Sequence, residues 1–291
     1  MPDVSLLNVS CPLCDEDSPH PVAVQNGYSM VQCNACRFIY LSPRPTPESL
    51  IALYDSYHER NGKSAESWDV LMERNYREAS QQLAGLLPAK GKLLDVGCGY
   101  GYFVRLMQAE GWEASGIEPS AGASAHAQAA GLDVQRTVLE DAEFPAGSFD
   151  AITAFYVLEH LYNPLSALRK IRSLLKPGGV LLLRVPHTTP VVRLLGLLGL
   201  RNNLYDAPFH LSDFSPKTIR RAFQKAGFTD IRVMPGEPTM PPRRAERTVS
   251  TAAGTLARLL YAAGGEALLL PGVSKTAIAR KPFGDQERVD A

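Results

Sequence analysis

The stretch that most constrains the fold is Leu93–Phe103, which reads LLDVGCGYGYF. It combines a short apolar run, a turn with glycine at every second position, and the start of a helical pattern. Glycine lets the backbone turn sharply and leaves no Cβ in the way of a ligand. The helix that follows directs its N–H groups and the positive end of its dipole towards the turn. The segment therefore predicts a strand, a turn and a helix that together bind a nucleotide-like cofactor.

Strand and helix patterns alternate downstream of this turn. Such alternation predicts an α/β fold, with a parallel sheet covered by helices on both faces. Ligands of these sheets bind beyond the carboxyl ends of the strands. The predicted strands are 93–96, 114–117, 134–138, 149–155 and 180–185, and the helices between them are 102–110, 122–130 and 164–175.

Four of the five cysteines form two C-x2-C pairs with 18 residues between them. Each pair directs two thiolates to one side of a tight turn, and two pairs complete a tetrahedron around Zn²⁺. Disulfides and a redox dithiol are the alternatives. The N-terminus lacks the pattern of an export signal, so we expect a reducing compartment, which argues against disulfides. Four protein ligands leave no open position, which favours a structural zinc ribbon. The predicted ligands are Cys11, Cys14, Cys33 and Cys36.

The composition bears on the partners of the chain. Its 291 residues include 30 basic and 30 acidic side chains, so no net charge favours nucleic acid or anionic membranes. No apolar run reaches the length that spans a membrane. We expect a cytoplasmic monomer or homodimer with no nucleic-acid partner, and peripheral membrane contact stays an open alternative.

The spacing around the turn separates two classes of cofactor. Gly97, Gly99 and Gly101 lack the G-x-x-G step of the dinucleotide fingerprint. Asp95 occupies a strand position that is usually apolar in dinucleotide binders. Glu118 follows the second strand, where an acid can accept both ribose hydroxyls in either class. A nicotinamide oxidoreductase therefore stays an alternative, which NAD binding would distinguish.

The chain resembles class I S-adenosylmethionine-dependent methyltransferases. The matching segments occur in the family's order and are LDVGCGYG (94–101), GIEPS (116–120), GSFDAI (147–152), VLEHL (157–161) and LLKPGG (174–179). The resemblance implies a Rossmann-like sheet of seven strands with an antiparallel last strand, and S-adenosylmethionine as the cofactor. It also implies the cofactor-binding residues: Gly97, Gly99 and Gly101 along the methionine part, Asp95 near its amino end, Glu118 on the ribose, and Leu139, Glu140 and Asp141 beside the adenine.

Methyl transfer needs an oriented acceptor, exclusion of water and, for some acceptors, removal of a proton. Candidate bases lie near the predicted strand ends, and we expect His210 or His187 to face the acceptor. The pair Glu159–His160 is a frequent family feature that is more often structural, although it helps to hold a metal in some similar O-methyltransferases. The candidates for the catalytic residue are His210, His187, His160 and Tyr156.

We expect a zinc ribbon over 1–45, a helical linker or cap over 46–90, a methyltransferase domain over 91–283 and a tail over 284–291. Inserts at about 188–212 and 236–272 would form the acceptor pocket, a lid, a dimer surface or a membrane contact.

The predicted function is S-adenosylmethionine-dependent O- or C-methylation of a small-molecule acceptor, such as a sugar, a polysaccharide precursor or a secondary metabolite. The alternative is methylation of RNA or protein recruited through the ribbon. Arg37 is the only basic residue between Cys11 and Tyr40, which argues against an RNA partner.

Overall fold

The N-terminal part of the chain is a small β-module. The computed structural model describes residues 4–50, 53, 65–238, 244–265, 269 and 274–284. A hairpin turns at Asn26–Gly27, where both residues have positive φ, as the sequence predicts. The strands of the module are β1 (Leu6–Leu7), β2 (Pro19–Gln25), β3 (Tyr28–Cys33), β4 (Ile39–Leu41) and β5 (Arg44–Pro45).

A seven-stranded sheet forms the centre of the molecule. Its order is β12–β13–β10–β9–β6–β7–β8, and β13 runs antiparallel to both of its neighbours while the other strands run parallel. The predicted α/β class and the antiparallel last strand are confirmed. Strands from β6 onward are β6 (Lys92–Val96), β7 (Glu113–Ile117), β8 (Val134–Gln135), β9 (Phe149–Phe155), β10 (Leu175–Val185), β11 (Ser212–Asp213), β12 (Thr229–Pro235) and β13 (Lys275–Arg280).

Helices cover both faces of this sheet. The clearest local signal is at α6, where Ser215 and Thr218 form a reciprocal capping box and Pro216 opens the first turn. A 3₁₀ turn, Leu158–His160, follows β9. The described helices are α1 (Ala65–Leu86), α2 (Tyr102–Ala109), α3 (Ala121–Ala129), α4 (Pro164–Leu174), α5 (Thr189–Leu197), α6 (Pro216–Lys225) and α7 (Arg244–Gly264).

The β-module joins the rest of the protein through a strand pair. β11, the two-residue strand before α6, pairs antiparallel with β4, so that Ser212 lies opposite Tyr40. Phe38 packs on Phe214 with ring centroids 4.9 Å apart. The four cysteines lie in or against the same buried cluster as residues of α4 and α6. The module therefore shares a hydrophobic core with the sheet.

Thr46 and Pro47 predict the start of a helix with Tyr54 and Tyr57 on its apolar side; the helix begins at 47, and these two tyrosines lie outside the described residues. The sequence also predicts Leu256 and Leu259 on one apolar face of a helix, but in α7 both side chains are exposed, whereas Ala257 is buried. None of the described helices has the length and apolar character needed to cross a membrane. The segment limits, including the tail, stay predictions.

A close contact behind the glycine turn gives a stability prediction. A Cβ on Gly116 would lie 2.5 Å from Cys98 Sγ. We expect Gly116→Ala to lower the free energy of unfolding by about 1–3 kcal/mol through overpacking. Cys98→Ala should restore part of this loss, so the double-mutant cycle should show a coupling between the two sites. Urea unfolding of the four proteins measures it, and strictly additive effects would contradict the contact.

Candidate active site

The glycine turn after β6 is closed at its two ends and open in the middle. Gly97, Gly99 and Gly101 all have positive φ, which only glycine adopts without strain. A Cβ at Gly97 would lie 2.5 Å from Val157 Cγ2, and one at Gly101 would lie 2.4 Å from Leu132 Cδ1. A Cβ at Gly99 would meet no atom within 4 Å among the described residues. A ligand can therefore approach the backbone at Gly99.

A carboxylate lies beside this opening. Glu118 follows β7, and its Oε2 accepts a hydrogen bond of 2.9 Å from the Gly99 N–H. Its Oε1 accepts a second bond of 2.9 Å from the Ser120 N–H. Since each carboxylate oxygen can accept more than one hydrogen bond, the group keeps capacity for a ligand hydroxyl. The acid and the turn are thus held as one unit.

A second acid lies beneath the turn. Asp95 is 2% exposed and accepts a hydrogen bond of 2.6 Å from Thr153 Oγ1. Burial raises the pKa of Asp95 to about 7, the Thr153 hydroxyl opposes this shift, and the charge of Glu118 adds to it. A cationic ligand in the turn would favour the ionised form of both acids.

Aromatic side chains border the turn on the side of α1. Tyr76 stacks on Tyr102 with ring centroids 5.4 Å apart and meets the edge of Phe155 at 4.9 Å. Trp68 Nε1 donates a hydrogen bond of 3.3 Å to the Tyr76 hydroxyl. α1, which lies within the expected helical linker or cap, therefore packs next to the glycine turn.

The segment expected beside the adenine has one buried member. Leu139 is buried, whereas Glu140 and Asp141 are exposed in a turn. Lys170 Nζ donates a hydrogen bond of 2.6 Å to the Glu140 carbonyl. Leu139 packs in the hydrophobic core, and the side chains of the two acids face solvent.

Two of the candidate bases lie together. The rings of His160 and His210 are 4.6 Å apart between centroids and nearly perpendicular. His160 Nδ1 lies 3.0 Å from the Phe209 carbonyl, so this nitrogen carries the hydrogen. Burial lowers the pKa of His210 to about 4, which keeps its imidazole neutral at pH 7. His187 is buried two residues after β10.

Tyr156 is held in a different network. Its φ of 58° places it in the left-handed region, which is costly for a side-chain residue and recurs at functional sites. Arg184 Nε donates a hydrogen bond of 2.8 Å to its hydroxyl, which also lies 2.7 Å from Ser274 Oγ. Arg184 in turn pairs with Glu78 of α1 at 3.6 Å. Tyr156 is therefore anchored by its hydroxyl.

Glu159 is a residue that the sequence analysis did not choose. Its side chain is fully buried, and neither carboxylate oxygen has a hydrogen-bond partner in the described part of the chain. One of these oxygens and a ring nitrogen each of His160 and His210 lie within 4.8 Å of one another, so the three groups can contact one common group. Burial raises the pKa of Glu159 to about 8, while the dipole of its own backbone N–H and the charge of Lys275 oppose the shift and Asp213 adds to it.

Lys275 is the second residue that was missed. It is fully buried at the start of β13, and its Nζ donates to the Pro186 carbonyl. Burial lowers its pKa to about 8 against the opposing charges of Asp213 and Glu159. A lysine at the start of a strand with the apolar run Ala277–Ala279 was a usable signal in the sequence.

The four paired cysteines have the dimensions of a zinc site. Cys11 Sγ lies 3.5 Å from Cys36 Sγ, Cys14 Sγ lies 3.6 Å from Cys33 Sγ, and all four sulfurs lie within 4.8 Å of one another. Sulfurs bound tetrahedrally at about 2.3 Å are about 3.8 Å apart. The residue after each pair, Asp15 and Arg37, has positive φ, so both turns have the same form. The donor set and its spacing fit Zn²⁺.

Comparison with known proteins identifies the family. A family model described as a methyltransferase domain matches residues 68–233, more than half of the chain. The chain belongs to this methyltransferase family. It is 34% identical over 168 residues to the ubiquinone biosynthesis O-methyltransferase of Xanthomonas axonopodis pv. citri (strain 306). The aligned region covers 53% of this chain and 70% of that enzyme. The corresponding enzyme of Sodalis glossinidius (strain morsitans) is 36% identical over 114 residues, covering 37% of this chain and 46% of that enzyme.

Solved structures agree on the fold of this methyltransferase. A SAM-dependent methyltransferase from Archaeoglobus fulgidus superposes with a TM-score of 0.50 at 18% identity, covering 78% of this chain and 99% of that one. Another SAM-dependent methyltransferase, from Thermotoga maritima, superposes with a TM-score of 0.51 at 18% identity, and the match covers 80% of this chain and 98% of that one. Family and fold together make the chain a class I S-adenosylmethionine-dependent methyltransferase.

The burial of Glu159 predicts a pH effect on stability. Between about pH 5 and pH 8 the folded protein keeps a proton on this carboxyl that the unfolded chain releases, so stability should fall as pH rises. The proton on Glu159 should change the free energy of unfolding by up to about 1.4 kcal/mol per pH unit. We expect Glu159→Gln to remove it, so the variant should become more stable relative to wild type towards pH 8.

Urea unfolding at pH 5, 6, 7 and 8 tests this expectation. Glu143→Gln changes an exposed glutamate and should follow the wild-type curve. Parallel pH dependences for wild type and Glu159→Gln would show that the carboxyl is not held in its neutral form.

Proposed function

We propose that this methyltransferase transfers a methyl group to a hydroxyl of a small-molecule acceptor. The observation that carries the proposal is the arrangement at one end of the sheet. The open glycine turn follows β6, and the turn that bears His160 follows the neighbouring parallel strand β9. Carboxyl ends of adjacent parallel strands are where ligands bind in such sheets. Donor and acceptor groups would therefore meet there.

On the donor side, the residues suit the parts of S-adenosylmethionine. When bound, this cofactor supplies a methyl group that leaves its sulfur as the bond to the acceptor oxygen forms, giving S-adenosylhomocysteine. Gly97, Gly99 and Gly101 would line its methionine part, and Glu118 would accept from the ribose hydroxyls. The ionised carboxylate of Asp95 would attract the positively charged cofactor and so favour its binding. Leu139 would contact the adenine, with Glu140 and Asp141 at the rim.

On the acceptor side, His210 is our choice for the base. Its imidazole is neutral at pH 7 and has a lone pair available. Because the acceptor hydroxyl becomes strongly acidic as its oxygen bonds to the methyl carbon, even this weak base can take the proton and later release it to solvent. His160 lies against it and is oriented by the Phe209 carbonyl. We propose that His187 contacts the acceptor. The Tyr156 hydroxyl is already hydrogen-bonded, so we propose that this side chain shapes the site and takes no part in proton transfer.

We assign Zn²⁺ to the four cysteines as a structural ion. A module of about 40 residues buries little surface of its own, so a bound metal would supply stability that its core lacks. The ribbon would orient the acceptor side, because β4 pairs with β11 just after His210.

The names of the curated relatives favour a small-molecule acceptor over RNA or protein. They describe O-methylation in ubiquinone biosynthesis, which is methylation of a hydroxyl on a small molecule. A macromolecular acceptor stays the second candidate, and O-methylation is preferred here over C-methylation.

The donor assignment predicts a pH-dependent affinity. Because the cofactor is cationic, it should bind better when Asp95 is ionised, and its affinity should fall as pH drops below about 7. The expected decrease is up to about ten-fold per pH unit, as one proton is taken up on release. Asp95→Asn should bind more weakly and with little pH dependence. Isothermal titration calorimetry at pH 6, 7 and 8 measures the cofactor affinity of wild type and of Asp95→Asn. Failure of the zinc-loaded protein to bind S-adenosylmethionine and S-adenosylhomocysteine would overturn the proposed function.

The acceptor assignment predicts separate effects on turnover and on cofactor binding. We expect His210→Ala to lower transfer of labelled methyl groups, in extracts of the encoding organism, by about 10²-fold or more. Its affinity for S-adenosylhomocysteine should stay as in wild type. His20→Ala removes a histidine of the ribbon and serves as the matched control. Wild-type turnover in both His210→Ala and His187→Ala would contradict a histidine base.

A further inference from the structure

The side chain of Arg44 is a buried cation, and the described residues place no carboxylate against it. It lies on β5 with 5% of its surface exposed, and its Nε and Nη1 atoms have no hydrogen-bond partner in the part of the chain that the structure describes. A guanidinium is always charged and offers five N–H donors and no acceptor. Taking such a charge out of water without an acceptor is strongly unfavourable. The part of the chain that the structure describes therefore supplies no anion for this guanidinium.

The groups near Arg44 carry hydroxyls, which can donate hydrogen bonds to an anion. The Cζ atom of Arg44 lies 3.6 Å from the centre of the Tyr162 ring. The hydroxyl oxygens of Tyr162, Tyr40 and Ser212 are buried and form no well-aligned hydrogen bond among the described residues, and Ser212 is the residue opposite Tyr40 in the β4–β11 pair. Burial lowers the pKa of Arg44; Tyr162, whose hydroxyl lies within reach of the guanidinium, and Tyr40 oppose this shift, and no described carboxylate is among the opposing groups.

The position of this group ties it to the proposed acceptor side. Tyr162 follows His160 by two residues, and Ser212 follows His210 by two residues. Two residues of chain span at most about 7 Å. An anion held at Arg44 would therefore lie one small molecule's length from the two imidazoles. A guanidinium fork with nearby hydroxyls is suited to a carboxylate or a phosphate.

We propose that Arg44, with the hydroxyls of Tyr162, Tyr40 and Ser212, binds an anionic group of the methyl acceptor, a carboxylate or a phosphate. This inference rests on the proposed function and specifies that the methyl acceptor carries a negative charge. It also gives the zinc ribbon a direct part in substrate recognition, because Tyr40 and Arg44 belong to β4 and β5. The anion would fix one end of the acceptor while its hydroxyl faces His210.

Thermal unfolding of the zinc-loaded full chain tests the site with simple probes. Inorganic phosphate and acetate are compared in separate arms with sodium chloride at equal ionic strength. We expect at least one of them to raise Tm by about 2–4 °C beyond chloride at roughly ten times its Kd. Arg44→Gln should abolish that difference. Arg193→Gln removes an exposed arginine that bonds the ribbon at Gln32, and it should keep the difference.

Arg44→Gln should fold, because it removes an unpaired buried charge. If it does not, Arg44→Lys keeps the charge but loses the fork, and its Tm response should be smaller than that of wild type. Equal Tm in all three salts, or a full response in the variant used, would overturn the anion site.

The charge of the natural product gives an independent readout. Labelled methyl product formed in extracts should be retained by an anion exchanger at pH 8 and eluted by salt, whereas product in the flow-through would overturn the proposal. Failure of the proposed function looks different, since no product would form and S-adenosylhomocysteine would not bind.

Discussion

The backbone of Leu211 is the interaction on which the acceptor side of this methyltransferase depends. Its N–H donates a hydrogen bond of 2.8 Å to the Glu159 carbonyl, and its carbonyl accepts one of 2.9 Å from the Leu41 N–H. One residue thus ties the turn that bears His160 to the zinc ribbon. Since strand pairing fixes which face each side chain occupies, the same contact places Ser212 beside Tyr40. Loss of the ribbon's structure would therefore reach the histidine pair through the backbone, without any change in the main sheet.

The buried acids of the protein differ in the hydrogen-bond donors that surround their carboxylates. Asp213 is fully surrounded, because its oxygens accept from the backbone N–H groups of Thr188 and Thr189. Asp95 has a hydroxyl partner, and Glu118 has two N–H donors. Glu159 has no such partner among the described residues. Buried polar groups are normally satisfied, so an exception beside two imidazoles indicates a functional demand that outweighs stability. Arg44 is the same kind of exception with the opposite charge.

Local pattern was sufficient for most of the fold. The glycine turn, the parallel strands from 93 to 185 and the capped helix after Ser215 were predictable because each has its signal within a few residues. The cysteine spacing likewise predicted the cluster of thiols. The proximity of His160 and His210 was not predictable, since 49 residues separate them and the connecting strand pair is only two residues long. Burial of Glu159 and of Arg44 is a tertiary effect, and Arg44 lies in a proline-rich stretch that reads as a linker. The roles assigned to the cofactor residues stay predictions.

The glycine turn and the proposed acceptor side pack against different hydrophobic clusters. The cluster beneath α1, α2 and α3 contains Tyr76, Phe103 and Cys98, and none of its described members comes from the ribbon. The cluster on the other face of the sheet contains the ribbon cysteines together with Leu158 and Phe214, which flank the acceptor side. Side chains alternate between the two faces of β6, so Leu93 belongs to the first cluster and Leu94 to the second. The helix that follows the glycine turn therefore packs in a cluster separate from the ribbon, whereas the proposed acceptor side shares its core with the four cysteines. If the cysteines hold zinc as proposed, this division of the core would couple the metal to the acceptor side more directly than to that helix.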